Sequence, residues 1–172
     1  MEVLEAIRKR KSVRVYKDTP IPENKLKYVL EAARLAPSAA NSQDWKFVVV
    51  RDLKRKIQLA EAANEQNQIA LAPVVIAGVA TNTNIIMMCG IPAHFVNLAI
   101  AIDHMTLAAV DQGLGSCWIG AFLQEETKRI LKIPDDHMVI GLLTLGFPAI
   151  KARRSKIRKS LDEIVCYETF ME

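Results

Sequence analysis

Between Gln66 and Ile102 the chain carries no Asp, Glu, Lys or Arg. A stretch of that length without charge must be enclosed, either by lipid or by protein. Lipid fails on length and composition. The apolar run at 69–80 is too short to span hydrocarbon and contains Pro73 and Gly78, and the run at 85–102 is broken by Gly90, Pro92, His94 and Asn97. The segment therefore reads as the centre of a water-soluble core. A chain of 172 residues supplies one such core, so a single domain over 1–172 is expected. Only 6% of its residues are aromatic, so that core is aliphatic.

The hydrophobic periodicity supplies the elements around it. Residues 2–11 read as a short helix with Val3, Leu4 and Ile7 on one face, whereas 13–16 is too brief to assign. Pro22 suits the first turn of a helix reaching about Leu35, which Pro37 ends. A strand at 45–51 is followed by a helix over 53–63 with Asp52 as N-cap, then by a short helix at 65–72. The continuous apolar run 74–80 predicts a strand buried on both faces. Residues 92–112 predict the longest helix, apolar nearly all round, and a second copy of the chain is an economical cover for it. Strands at 117–121 and 138–145 flank a helix at 125–132, and the tail reads as one helical turn at Ser160–Glu163 leading into a terminal strand. The sum is an α+β fold: a mainly antiparallel sheet of four or five strands, helices on its faces, and a long central helix.

Charge is placed unevenly. Arg8, Lys9, Arg10, Lys11 and Arg14 form one basic cluster, and Lys151, Arg153, Arg154, Lys156, Arg158 and Lys159 form another. Neither contains an acid, and the remainder of the chain holds 12 bases against 19 acids. Two basic clusters on an otherwise acidic chain point to an anion. Nucleic acid is disfavoured by the few aromatics and the acidic remainder. The three cysteines, at 89, 117 and 166, have no paired spacing, which speaks against a disulfide framework or metal knuckle and for a reducing, cytoplasmic setting. The N-terminus has no apolar run of signal-peptide length.

No hydrolytic or metal-binding constellation is present. His94, His104 and His137 are dispersed, and His94 is expected as a hydrogen-bonded core residue. Gly113-Leu114-Gly115 follows a helix and precedes a strand, the reverse of what a pyrophosphate cradle needs. Three segments remain. In Arg10-Lys11-Ser12-Val13-Arg14 an extended backbone turns residues 10, 12 and 14 to one side, two guanidiniums flanking a hydroxyl, which suits a phosphate monoester. In Ala36–Trp45 small residues admit close backbone approach, while Asn41 and Gln43 offer amides to a heteroaromatic edge. In Gly113–Phe122, Gly120 marks a bulge or a place where a ligand lies against the backbone. Each segment alone also has an ordinary reading: a solvated basic face, a polar loop, plain packing.

Together they resemble the nitroreductase family of flavoproteins. The matching stretches are R-K-S-V-R at 10–14, A-P-S-A-A-N-S-Q-x-W at 36–45, G-L-G-S-C-W-I-G-A-F at 113–122, and G-F-P followed by R-K-S-L-D-E at 158–163, in order and in register along nearly the whole chain. The resemblance implies a nitroreductase-like sandwich, a homodimer, and FMN held between the subunits. It implies phosphate contacts from Arg10, Ser12 and Arg158, with Lys11 in the same motif and Arg14 near the phosphate or the pyrimidine edge. Pro37, Ser38, Asn41 and Gln43 would serve the flavin of the other subunit. Ile119 and Gly120 would line the ring, and an amide from Asn64–Asn67, with Asn67 the candidate, would meet the pyrimidine. The chain departs from the family where Asp44 replaces the usual Pro before the motif Trp, at the rim of the expected substrate pocket. It departs again where Ser155, Lys156 and Ile157 replace prolines, so the phosphate-binding base is open among Arg154, Lys156 and Arg158. The implied activity is ping-pong hydride transfer from NAD(P)H through flavin N5 to a small electron-poor acceptor (nitroaromatic, quinone or flavin), without catalytic side chain, metal, nucleic acid or membrane. Dehalogenation, ene reduction and a flavin carrier without turnover are the alternatives on the same scaffold.

Overall fold

The computed structural model describes residues 1–150 and 156–171. Six helices and four strands form within them: α1 Val3–Lys9, α2 Glu23–Arg34, β1 Trp45–Val50, α3 Leu53–Ala62, α4 Gln68–Leu71, β2 Val74–Ala80, α5 Ala93–Asp111, β3 Gly115–Ile119, α6 Gln124–Leu131 and β4 Met138–Gly146. The strands make one antiparallel sheet in the order β1-β2-β4-β3, so β1 and β3 are its two edges. β2 is buried along its whole length, as a charge-free strand must be.

The alternation along β2 sorts the core into two layers. Val74 and Ile76 join Leu26 and Val29 of α2, Ala101, Ile102 and Met105 of α5, and Leu143 and Leu145 of β4. Val75, Ala77 and Val79 face the other way, onto Leu59 and Ala60 of α3, Ile69 of α4 and Cys117 and Ile119 of β3. Helix α5 lies tight on the sheet because Gly78 lets it: a Cβ there would sit 2.9 Å from Ile102 Cδ1. Asp52 caps α3 as expected, its carboxylate accepting from the Arg55 N–H at 2.9 Å.

Three expectations need correction. No fifth strand appears among the described residues: the tail makes the turn at Leu161, with Ile164 and Val165 N–H donating to its carbonyl, but no ladder follows. The apolar tail residues have no strand to join and stand exposed, among them Ile157, Tyr167 and Phe170. The strand expected at 117–121 runs instead over Gly115–Ile119, which leaves Gly120 just beyond the ladder. His94 is buried, only 4% exposed, yet neither ring nitrogen has a hydrogen-bond partner among the described residues.

Candidate functional site

The segment too short to assign, 13–16, lies within a lacing strip over 12–17 rather than a strand. Ser12 bridges Ser116 in parallel, and the Val13 N–H donates to the Ser116 carbonyl at 2.9 Å. Gly115 makes the approach possible, since a Cβ there would lie 2.6 Å from Val13 Cγ2. Tyr16 then fastens the strip from within. Its hydroxyl donates to the Val13 carbonyl at 2.6 Å and lies 2.7 Å from Thr144 Oγ1 of β4. Beyond it, the Lys17 N–H donates to the Phe147 carbonyl at 2.8 Å. The basic motif 10–14 is thereby held along the outer edge of β3.

The C-terminal cluster comes to the same place. Lys156 Nζ donates to the Ile7 carbonyl at 2.7 Å, satisfying a backbone group at the end of α1, where Arg10 is the C-cap. The Lys156 amine is held below its ordinary pKa, by burial first and then by the positive charges of Arg10, Arg158 and Lys11. The placement of Lys156 at the end of α1, with Arg10, Arg158 and Lys11 among the causes of this lowering, puts bases from both ends of the chain in one field. Among the described residues no carboxylate lies within 4.0 Å of Arg10, Arg14, Lys156 or Arg158. Unneutralised cations so grouped form a site for a doubly charged anion. Of the three C-terminal candidates, Lys156 and Arg158 belong to this group, and Arg154 lies outside the described residues.

The end of β3 lies farther along the same edge. Ile119 turns its side chain into the core, so it is its backbone that can border a ligand. At Gly120 a Cβ would meet nothing within 4 Å, which leaves room for a flat group against the backbone. The amide-rich turn is drawn to the same edge, with Gln66 Nε2 donating to the Ala121 carbonyl at 3.0 Å. That bond and a second from Gln68 engage Gln66, whereas Asn67 is exposed with no side-chain hydrogen bond among the described residues. Residues 10–14, 66–67, 119–121 and 156–158 thus assemble on one edge of one chain. Phosphate, ring and pyrimidine contacts of an FMN each find residues of the right chemistry there.

The loop 36–44 is elsewhere. It enters β1, the opposite edge of the sheet, three inter-strand spacings or about 14 Å from β3. Pro37, Asn41 and Gln43 are exposed, and Ser38 Oγ accepts from the Gln43 N–H at 3.0 Å. Within one chain the structure does not bring these four residues to the basic edge. Asp44 does not face outward: its Oδ1 accepts from Asn97 Nδ2 of α5 at 3.1 Å and from Ser42 Oγ at 2.9 Å.

Two residues that matter here carried no motif. Tyr16 ends a run too short for periodicity to read. Asn97 is 1% exposed, and an amide on the buried face of an apolar helix was itself a signal, because such a group demands partners.

The nitroreductase family model matches residues 7–88 and 72–147, two overlapping stretches that take in most of the chain. The chain belongs to the nitroreductase family. A crystal structure of a nitroreductase family protein from Clostridium novyi NT is 37% identical over 86% of each chain, with a TM-score of 0.81. The NADH dehydrogenase of Thermus thermophilus is 31% identical over 92% of either chain. The FMN reductase [NAD(P)H] of Bacillus subtilis is 29% identical over 99% of this chain and 75% of its own.

Proposed function

We propose that this chain is an NAD(P)H-dependent FMN oxidoreductase acting as a homodimer. The observation that carries the reading is the group Arg10, Lys156 and Arg158, drawn from both ends of the chain to the edge along β3 with no carboxylate beside it among the described residues. FMN supplies a ring that takes hydride from a reduced nicotinamide at N5 and yields it to an electron-poor acceptor such as a nitroaromatic, a quinone or another flavin.

The protein's part is placement and field. Arg10, Ser12 and Arg158, with Lys156 beside them, hold the phosphate, and Lys11 and Arg14 extend the positive field toward the ring. The backbone at Ile119–Gly120 borders the ring, and Asn67 offers a free amide to its pyrimidine edge. The surplus positive charge favours the more negative, reduced state of what is bound there. Donor and acceptor use one face in turn, which is ping-pong. No side-chain acid or base is assigned, in keeping with three histidines that lie apart.

The geometry supports a second copy. Pro37, Ser38, Asn41 and Gln43 sit on the edge opposite their expected ligand, so a two-fold partner is the way for them to reach it. The surface to pair is available: α5 leaves Phe95, Val96 and Ala99 outside the monomer core, and Val3, Leu4 and Ile7 of α1 are exposed. The apolar tail residues Tyr167 and Phe170 add to it. All three cysteines are free thiols, which favours the reducing cytoplasm as the setting.

The test is anaerobic stopped-flow of FMN-loaded protein against NADH and NADPH. Loss of the flavin absorbance band with at least one donor, and its return on adding an acceptor in the absence of donor, is the expected result. A band that neither nicotinamide bleaches refutes the oxidoreductase reading.

A further inference from the structure

The turn from Ala39 to Trp45 is under backbone strain. Ala40, Asn41 and Gln43 have φ of +50°, +54° and +49°, three non-glycine residues in the left-handed region within four positions. Each costs on the order of 1 kcal/mol, and Ala40 has no polar side chain to offset it. Such a backbone persists only where its surroundings over-determine it.

Helix α5 supplies that constraint through one side chain. Asn97 Oδ1 accepts from the Ala39 N–H at 2.9 Å. Its Nδ2 donates to Asp44 Oδ1 at 3.1 Å and to Ser42 Oγ at 3.3 Å. Ser42 Oγ in turn donates to Asp44 Oδ1 at 2.9 Å, and the Asp44 carbonyl takes the Thr81 N–H at 3.0 Å. One buried amide therefore grips the turn at both ends, more than fifty residues away in sequence. Asp44 completes the grip at the position where the family usually has proline. A proline would fix that backbone by its ring; here a carboxylate does so by accepting hydrogen bonds. The grip carries a cost, since Asp44 Oδ2 is buried without a partner among the described residues. A merely decorative carboxylate would turn that oxygen to water.

We propose that Asn97 and Asp44 form a positioning pair that sets the left-handed turn and, through it, presents Pro37, Ser38 and Asn41 to the isoalloxazine bound across the dimer seam. The pair makes no contact with the reacting atoms and acts through the loop. This rests on the flavin reading, and the test separates the two.

The pair is polarised, and that makes it testable by exchange. Asn97→Asp sets two carboxylates against each other and removes the Nδ2 donor, while Oδ1 still faces Ala39. Adding Asp44→Asn to it restores the donor from the other side, so every hydrogen bond of the grip can re-form in reverse. Two readouts are needed. Hydrogen exchange of the 39–45 amides in FMN-free protein reports the turn itself, and FMN affinity with the visible circular dichroism of the bound flavin reports presentation. Asn97→Asp is expected to accelerate exchange in 39–45, to weaken FMN at least tenfold and to alter the flavin dichroism. The double variant is expected to recover all three. Unchanged exchange in the single variant would overturn the grip. Faster exchange with wild-type affinity and dichroism would overturn the positioning role. A double variant no better than the single one would show that the pair is not the unit. Wild-type protein that takes up no FMN would overturn the flavin reading itself, and the exchange data would still judge the grip.

Discussion

Replacing Arg10 with Ala tests the phosphate site most directly, because the ligand itself provides the control. FMN and riboflavin differ by the phosphate alone, so a residue that binds phosphate distinguishes them and a residue that merely supports the fold does not. A hydrogen bond between charged groups is worth about 1.5–3 kcal/mol, which is about tenfold to 150-fold in affinity. The guanidinium can engage phosphate by two such bonds, so the upper part of that range is expected for FMN. Riboflavin should weaken by no more than about twofold, since Arg10 is half-buried at the edge and does not underlie the ring. The electrostatics add a second signature. Lys156 is held below its ordinary pKa in part by Arg10, and the grouped cations repel one another while no anion is bound. Removing Arg10 relieves that repulsion, so the FMN-free variant should unfold no earlier than wild type and the Lys156 amine should titrate higher. The assay is flavin fluorescence quenching with both ligands, alongside urea unfolding of the FMN-free protein. Equal weakening of FMN and riboflavin, or a loss of affinity that tracks a loss of stability, would refute the assignment.

Tyr16→Phe removes the hydroxyl that joins the Val13 carbonyl to Thr144, and urea unfolding should show a loss of about 1–3 kcal/mol. Burial pushes the Tyr16 phenol well above its ordinary value, so the folded state keeps a proton that the unfolded chain loses from about pH 10 upward. The stability this gives is complete below that pH and declines above it, and unfolding midpoints between pH 8 and 11 should fall less steeply in the Phe variant. At Gly120 a Cβ meets nothing within 4 Å among the described residues, so for Gly120→Val the FMN-free unfolding free energy should stay within about 0.5 kcal/mol of wild type. FMN affinity should nonetheless drop at least tenfold, and an unchanged flavin titration would remove Gly120 from the ring's border. Ala99→Arg places a charge on the uncovered face of α5, and sedimentation should report the mass of one chain in place of two, with FMN retention lost alongside it. A monomer that retains FMN normally would refute the shared site.

Local signals carried most of the fold, because the elements that formed are those whose own sequence demands them. The charge-free strand 74–80, the long apolar helix from Pro92 and the Asp52 cap each needed no distant information. The errors fall where the deciding partner is remote. Residues 12–17 take their shape from β3 and from the chain after β4, so no period within VRVY could reveal it. The tail has strand composition but no ladder to pair with among the described residues, and β-propensity without a partner leaves a chain exposed. At the site the same division holds. Spacing and charge singled out the basic motifs, because a phosphate needs cations whatever the fold around them. Asn97 was passed over as an interruption of an apolar run, although that is the argument for it. A membrane helix or a plain core helix has no use for a buried amide, and nineteen residues of α5 place this one where only the backbone and carboxylate of a distant turn can satisfy it. A polar residue that contradicts the pattern of its own helix thus points to the segment that the helix must hold.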